Sequence, residues 1–269
     1  MTDPSPLLHQ RDGGVLTLTI NRPSRGNAID NETAALLIAA IDDLTAEPGD
    51  VRSVLLRSEG KHFCTGADIS AAGDRPAADA KPAVGHMVRS LGRGPHRLIE
   101  TVWSCPIPIV AELTGRTSGM GLHLALCCDI TVAAESATFA EPFAQRGFNV
   151  DSGGSWLLPR FVGLTRAKQL LYRGEPIDAR TAEAWGLVTQ VVADADVVGF
   201  ARGAADDLAT GATLAIGTMK QLLHDNLSRD LRAAMRAEAS GIELTIRSDD
   251  FKEGMRAFGE KRPPEFTGR

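Results

Sequence analysis

Two stretches decide the fold of this chain: HFCTGADIS (residues 62–70) and TGRTSGMGLHLALCCDITVA (residues 114–133). They follow the apolar, β-prone runs VRSVLLRSEG (residues 51–60) and CPIPIVAEL (residues 105–113), and each breaks into a turn that contains glycine. Two strand-to-turn junctions of this kind can place backbone N–H groups side by side in one cavity. A pair of fixed N–H donors stabilises an oxygen that gains negative charge during a reaction. The sequence therefore predicts a site with oxyanion-stabilising chemistry.

The composition fits one large globular domain, or a domain with a smaller appendage. The chain has 269 residues, of which 43% are hydrophobic and 23% charged, so it is long enough to bury a sizeable core. Its net charge of −5, without a basic run, gives no sign of nucleic-acid binding. No apolar stretch reaches the length that spans a bilayer. The first residues, MTDPSPLLHQRDGG, are polar, so we expect neither a signal peptide nor a membrane anchor.

Cysteine usage and motif content argue against metal or nucleotide chemistry. The four cysteines, Cys64, Cys105, Cys127 and Cys128, lack C-x-x-C spacing, which favours neither a zinc site nor a disulfide framework. A reducing, cytoplasmic location is the default expectation for such a chain. The sequence has no Gly-rich phosphate loop and no metal-ligand spacing. We therefore expect a reaction that is neither nucleotide-driven nor metal-dependent.

The first half of the chain alternates strand and helix patterns. Residues 15–20 (VLTLTI) alternate like a half-buried strand, and residues 51–57 and 129–134 also read as strands. A helix is expected at residues 31–46, with Asp30 placed to cap its N-terminus.

Further helices are expected before residue 104 and after residue 194. Residues 83–103 read as a helix that Gly94 and Pro95 break or kink, after an irregular loop at residues 71–81. Nearly everything after residue 194 fits helices. The expected interruptions of this helical region are Gly211, Gly217 and Ser228. The order predicts an α/β spiral core followed by a C-terminal helical subdomain.

Six segments of the chain, in register, resemble motifs of the crotonase (enoyl-CoA hydratase/isomerase) superfamily. FCTGADI is similar to the family's FxxGADI element, and GRTSGMGLHLALCCDI is similar to NGxxxGGGxxLxLxCDI. The other four segments are LTINRPSRGNAID, FAEPFAQRGFNVDSGGSWLLPRFVG, GEPIDARTAEAWGLVTQVV and FGEKRPPEFTGR. The resemblance covers nearly the whole chain. It implies an α/β fold with a ββα-spiral core at residues 1–200 and a C-terminal helical subdomain at residues 201–269, which forms homotrimers or hexamers in the family.

The resemblance places an oxyanion hole at the backbone N–H groups of Ala67 and Met120. A thioester carbonyl becomes enolate-like when its α-carbon loses a proton, and each fixed donor lowers that barrier by about 3 to 4 kcal/mol in favourable cases. Many relatives carry Gly where this chain has Met120, but a backbone N–H from Met serves equally well. The alternative is two ordinary tight turns, with Met120 as a core residue.

The positions of the two glutamates that hydratases of this family use to activate water carry His123 and Phe143. A phenylalanine neither takes nor gives a proton, so addition of water by two glutamates is not expected. His123 lies three residues after Met120 and shares its helical face, so it either points into the pocket as a proton shuttle or fills the space of the missing glutamate as a buried residue. Glu141 is expected to be exposed.

Asp151, in FNVDSGGSW, is the residue that we expect to carry the proton. Acyl-CoA isomerases of the superfamily place an Asp in this turn, and VDSGGSWLLPR is particularly close to the ring-epoxide isomerases of the phenylacetate pathway. A single carboxylate can move a proton between the α and γ carbons through the bound enolate. The alternative makes Asp151 the N-cap of the following helix. Glu112 is expected to pair with a base such as Arg116.

The resemblance also implies which residues contact coenzyme A, namely Arg25, Asn27, Ala67, Asp68, Ile69 and Lys261. Lys261 would reach a phosphate, often across a subunit boundary. Coenzyme A is part of the acyl-CoA substrate, so no separate cofactor is expected. Acyl specificity should come from residues 71–93, with His86 and His96 as candidate lining residues, and from the C-terminal helices.

Three hypotheses of different classes remain. The first is an acyl-CoA isomerase that uses Asp151 and the oxyanion hole. The second is a hydratase or a C–C bond-cleaving lyase, with His123 or Glu141 in an unusual role. The third is a catalytically silent acyl-CoA binder. The acid at Asp151 favours the isomerase, and the missing glutamates weigh against the lyase.

Overall fold

The computed structural model of the chain describes residues 5–69 and 83–269. Its strands are β1 (Leu7–Asp12), β2 (Val15–Ile20), β3 (Ser53–Ser58), β4 (Ile109–Leu113), β5 (Arg116–Ser118), β6 (Ile130–Ala134), β7 (Thr138–Ala140), β8 (Ile177–Asp178) and β9 (Gln190–Val192). Its helices are α1 (Asn31–Ala46), α2 (His86–Arg93), α3 (Pro95–Ser104), α4 (Met120–Leu126), α5 (Gly154–Arg173), α6 (Ala179–Trp185), α7 (Val197–Thr210), α8 (Thr213–Asn226), α9 (Leu231–Thr245) and α10 (Asp249–Glu260).

A six-stranded sheet in the order β1-β2-β3-β4-β6-β9 forms the centre of the fold. Strand β1 pairs with β2 in antiparallel fashion, and the remaining neighbours are parallel. Helix α7 packs on one face of the sheet, over Val15, Leu55 and Val132. A larger apolar cluster that includes residues of α1, α3, α4 and α5 lies on the other side. The α/β fold predicted from the sequence is confirmed.

Strand β2 differs from its prediction, because all six of its residues are buried rather than every second one. The strand lies between β1 and β3, and helices cover both faces of the sheet at this point. Parallel sheets covered on both faces bury both sets of side chains.

The smaller sheet, in the order β5-β7-β8, carries one of the two Gly-containing turns. Strand β5 is parallel to β7, and β7 is antiparallel to β8. The chain leaves β5 at Ser118 and enters α4 at Met120, so Gly119 alone connects the two elements.

The helices of the first half follow the sequence closely. Asp30 caps α1, since its carboxylate accepts a hydrogen bond of 2.8 Å from the Thr33 N–H. Gly94 separates α2 from α3, and Pro95 begins α3, as the sequence predicted. The loop predicted at residues 71–81 lies outside the described residues.

The C-terminal region is helical from α7 to α10, with breaks at Gly211 and near Ser228, as predicted. The predicted break at Gly217 is wrong, because this residue lies inside α8. A Cβ at Gly217 would lie 2.5 Å from the carbonyl oxygen of Pro106, so the glycine allows close packing and does not end a helix.

The boundary predicted between residues 200 and 201 falls inside α7. Ala201 and Ala205 of this helix are buried against the sheet, so α7 belongs to the core layer. The C-terminal helices that remain begin after Thr210. Within the described ranges, no helix is both long and apolar enough to cross a bilayer.

Candidate active site

The turn after β3 is tied to β5 by backbone hydrogen bonds. Cys64 pairs with Thr117 in a parallel bridge, in which the Ser118 N–H donates to the Cys64 carbonyl at 2.9 Å. A Cβ at Gly66 would lie 3.2 Å from the Ser118 carbonyl oxygen and 4.0 Å from the Met120 nitrogen. The two Gly-containing turns therefore lie side by side, as the sequence predicted.

The N–H group of Ala67 points away from the segment at Ile29 that pairs with it. Ile29 pairs with Ala67, but the hydrogen bonds run from the Ile29 N–H to the Gly66 carbonyl (2.9 Å) and from the Asp68 N–H to the Ile29 carbonyl (2.8 Å). In a parallel bridge these bonds use the groups on either side of the central residue. The N–H of Ala67 consequently points to the opposite side from Ile29.

Met120 is the first residue of α4, and its N–H is one of those that a helix leaves without an intrahelical acceptor. The preceding Gly119 has φ 53° and ψ −126°, a conformation that favours glycine. Its N–H donates to the Ala140 carbonyl at 3.0 Å, which fixes the turn to β7. The Met120 side chain is 2% exposed and belongs to the core, so the backbone is what this residue offers to the cavity.

A cavity of about 60 Å³ lies between the two turns. Besides Ala67 and Met120, its described lining includes Phe143, Phe148 and Asp151. Asp151 is the one carboxylate among these described lining residues. The geometry thus brings the three residues proposed for proton transfer and oxyanion binding to one place.

The Asp151 side chain does not cap the following helix. The N-cap of α5 is Gly153, at φ 79°, and no side chain caps this helix end. Asp151 contributes its backbone carbonyl to the Gly154 N–H (3.0 Å), while its Oδ1 accepts a hydrogen bond from the Ser152 hydroxyl at 2.8 Å. The capping alternative is therefore wrong, and the carboxylate is available to the cavity.

His123 does not reach the cavity. It is 0% exposed, and its ring lies parallel to the Phe143 ring with 5.9 Å between the centroids. Phe143 lines the cavity, so His123 lies one layer behind it. Of the two interpretations of His123, the one that points it into the pocket is wrong.

Glu141 is also 0% exposed, so its predicted exposure is wrong. Its Oε1 lies 3.1 Å from the His123 Nε2, within ion-pair distance. Burial raises the pKa of Glu141, the charge of His123 lowers it, and the charge of Asp151 raises it further. Sequence reasoning missed this pair because the two residues are distant in the chain. The one available signal was that His123 occupies one of the two glutamate positions and Glu141 lies two residues before the other, Phe143.

Glu112 pairs with Arg57 at 3.5 Å and not with Arg116 as expected. Leu56 of β3 is the register partner of Ala111 of β4, so the next residues along the two parallel strands are neighbours. Burial raises the pKa of Glu112, and the charge of Arg57 partly offsets this. The pair lies in the central sheet and not in the cavity.

The residues expected to bind coenzyme A fall into different environments. The Asn27 side chain is 0% exposed, donates to the carbonyls of Glu59 (2.7 Å) and His62 (2.6 Å), and accepts from the Arg22 N–H (2.8 Å). Its amide is fully used in holding the turn that is expected to lie against the nucleotide. Asp68 forms an ion pair of 2.8 Å with Arg22.

The remaining candidates are exposed. Arg25 lies in a short 3-10 turn and lines a surface groove next to Arg22, whereas Ile69 is 56% exposed at the cavity mouth. Lys261 follows α10, outside the described cavity lining. His86 and His96 are likewise absent from that described lining.

Comparison with known proteins identifies the class. The family model described as enoyl-CoA hydratase/isomerase matches residues 10–269, and the chain belongs to this family of the crotonase superfamily. The 1,2-epoxyphenylacetyl-CoA isomerase of Escherichia coli (strain K12) is 35% identical over 263 residues, 98% of each chain. The crotonyl-CoA hydratase of Syntrophomonas wolfei is 32% identical over 263 residues, again 98% of each chain.

The fold agrees with solved structures of the same family. The crystal structure of an enoyl-CoA hydratase from Bacillus anthracis aligns with a TM-score of 0.90 at 28% identity. The alignment covers 98% of this chain and 100% of that one. Both a hydratase and an isomerase are thus found among the named relatives.

Proposed function

We propose that this enzyme is an acyl-CoA isomerase, which shifts a proton, and with it a double bond, through an enolate held in an oxyanion hole. One observation carries the proposal. Asp151 is the carboxylate in the described lining of a cavity that the turns at Ala67 and Met120 also line. The hydratase glutamate positions hold Phe143 and the buried His123.

In the proposed mechanism the thioester carbonyl oxygen accepts hydrogen bonds from the N–H groups of Ala67 and Met120. Asp151 takes a proton from the α-carbon, and the electron pair of the broken C–H bond moves into the thioester as an enolate. The two N–H groups stabilise the negative charge that develops on the oxygen. Asp151 then returns the proton to the γ-carbon, so the double bond moves and the carboxylate is restored. The thioester is its own electron sink, so the proposal needs no cofactor beyond the coenzyme A of the substrate.

The position of Phe143 argues against addition of water at this cavity. Its ring lies between the cavity and His123 and also makes an edge contact with Phe148, at 5.3 Å between centroids. Apolar rings on this wall offer no hydrogen bonds to a water molecule aimed at the β-carbon. The buried His123 and Glu141 therefore do not replace the two hydratase glutamates in direct contact with substrate.

The second candidate is a hydratase or another lyase of the family. It is favoured by the similarity to the crotonyl-CoA hydratase of Syntrophomonas wolfei, which matches this chain over 98% of its length. In that case His123 or Glu141 would supply the missing acid. A silent acyl-CoA binder is the third possibility, and the exposed side of Asp151 in the cavity weighs against it.

Coenzyme A binding is proposed at the backbone of residues 67–69, at Arg25 and at Lys261. The cation of Arg25 and that of Lys261 suit phosphate groups. We further propose that the protein assembles as a homotrimer, or as a hexamer made of two trimers, as the family resemblance implies.

Solvent deuterium exchange distinguishes the three candidates. The enzyme is incubated in D₂O with a panel of 2-enoyl- and 3-enoyl-CoA esters, and mass spectrometry follows both label and added water. An isomerase incorporates deuterium at the α and γ carbons without gaining water. A gain of water as the main reaction would contradict the proposal and support the hydratase. Binding of the esters with neither change would support the silent binder.

A further inference from the structure

A polar groove of about 530 Å³ adjoins the cavity that holds Asp151. The two spaces share three lining residues, which are Thr65, Pro142 and Arg146. The lining of the groove also includes residues of β5 and β7, the paired strands of the smaller sheet. The proposed mechanism gives this groove no role, although a ligand in it would lie next to the proposed site of reaction.

Three cations from separate segments line the groove. Lys61 lies at the start of the turn after β3, Arg116 begins β5, and Arg146 ends a short 3-10 turn (Ala144–Arg146). Their side chains are exposed, and none of them forms an ion pair or a side-chain hydrogen bond with another described residue. No carboxylate is among the residues that the structure describes in this lining, although the whole chain has a net charge of −5. The positive charge is therefore not neutralised within the groove.

The carboxylates that lie close to the lining along the chain have other partners or are buried. Glu175 pairs with Arg173 at 2.8 Å, and Asp194 accepts a hydrogen bond of 3.0 Å from the Ser136 N–H. Glu141 is 0% exposed. An anion from outside the chain would therefore supply the counter-charge that the three cations lack.

Close backbone contacts hold two of the cations in place. Gly115 has φ 53°, and a Cβ there would lie 2.1 Å from the Lys61 carbonyl oxygen, so only glycine lets the two segments approach this closely. The Arg116 N–H donates to the His62 Nδ1 at 3.1 Å, which leaves the proton of the neutral imidazole on Nε2. Burial and the charges of Lys61 and Arg116 lower the pKa of His62, so its ring is a neutral N–H donor.

We propose that this groove binds the phosphate groups of a small phosphate ester. Cations together with hydroxyl donors suit phosphate oxygens, and the lining contains the hydroxyl groups of Thr65, Ser118, Ser136 and Thr138. The volume lies within the range of about 300 to 1,000 Å³ that is usual for small-molecule sites. The ester is either the coenzyme A part of a substrate in the adjoining cavity or a separate molecule. The groove is distinct from the one that Arg25 lines, and Lys261 is not among its described lining residues.

The test is an NMR titration with pyrophosphate, in protein that carries ¹³C-labelled histidine. The ring signal of His62, identified by its loss in His62→Gln, reports binding in this groove and not at another phosphate site. Arg116→Gln and Lys61→Gln should each raise the Kd about ten-fold, the loss expected with one charge-assisted contact. Arg232→Gln is the matched control, since Arg232 is an exposed arginine of α9 outside the groove, and it should leave the Kd in place. Sodium chloride at equal ionic strength should not reproduce the shift.

Calorimetry with a non-reactive acyl-CoA and with the matching acyl-pantetheine, which lacks the nucleotide, separates the two sources of phosphate. If the phosphates are those of coenzyme A, Arg116→Gln weakens binding of the acyl-CoA about ten-fold and leaves binding of the acyl-pantetheine unchanged. If the ester is a separate molecule, both affinities stay in place while pyrophosphate binding is weakened.

Thermal unfolding shows which variants are folded. A His62 signal that does not move with pyrophosphate, or an unchanged Kd in folded Arg116→Gln and Lys61→Gln, would overturn the proposal. Both measurements are made without turnover. A groove that binds pyrophosphate in an enzyme that shows no isomerisation would therefore stand, and the proposed isomerase function alone would fail.

Discussion

Replacing Met120 by proline removes one proposed oxyanion donor with little change in backbone geometry. Met120 is the first residue of α4, and proline is well tolerated at the first helical position because its N–H makes no intrahelical bond there. Loss of a single oxyanion donor costs about 2.7 to 4 kcal/mol of transition-state stabilisation. The structure therefore predicts that kcat falls by about 100- to 1,000-fold.

Met120→Ala is the control, because the buried side chain is lost in both variants. The side chain is 2% exposed, so each variant should lose about 2 to 5 kcal/mol of stability, the usual range for Met→Ala in a core. The ratio of kcat between the alanine and proline variants then isolates the N–H group. The assay is steady-state isomerisation of a 3-enoyl-CoA, with urea unfolding to compare stabilities. Equal kcat values for the two variants would refute the assignment of this N–H as a donor.

Three further predictions concern the fold. Asp30→Ala should destabilise the protein by about 1 kcal/mol, since it removes the N-cap of α1, and urea unfolding at constant m-value would measure this. Gly217→Ala should destabilise by about 1 to 3 kcal/mol, because its Cβ would overlap the Pro106 carbonyl, whereas Gly203→Ala inside α7 meets nothing within 4 Å and should stabilise by up to about 1 kcal/mol. Thermal melts of the two glycine variants that shift in the same direction would contradict this. The four cysteines are all buried and free, and burial raises the pKa of Cys64 and of Cys127 to about 12, so none should react with a thiol reagent at pH 8 until the protein is denatured. Mass spectrometry measures the modification, and rapid modification of the native protein would contradict the prediction.

Local sequence signals predicted the elements that depend on local chemistry. The cap at Asp30 and the break at Gly94 depend on neighbours a few residues away, and both are confirmed. The two turns at Ala67 and Met120 were predicted as a pair, because each combines a strand end with a glycine. The two turns lie side by side because of the order of the strands, and the resemblance to the family's motifs indicated this order.

Side-chain environments set by distant parts of the chain were predicted less well. Glu112 pairs with Arg57 because of the register between β3 and β4, which no local pattern reveals. Glu141 is buried beside His123, which belongs to a different element, and the Asn27 amide donates to two carbonyls more than 30 residues away in the chain. Gly217 predicted a helix break, but in the structure it allows the close approach of the Pro106 carbonyl to the helix. The polarity of a side chain predicts that it is exposed, but a polar partner from a distant part of the chain allows it to be buried.

The role of Asp151 is decided by the turnover of the Asp151→Asn enzyme on a 3-enoyl-CoA, measured together with its affinity for a non-reactive acyl-CoA. Loss of the proposed base should lower kcat by about 100- to 10,000-fold, the range for general acid–base catalysis, while the affinity for the ester stays within about two-fold. Asp194→Asn, at an exposed carboxylate that binds Ser136, is the matched control and should retain full turnover. Full turnover by Asp151→Asn would contradict the assignment of Asp151 as the group that moves the proton.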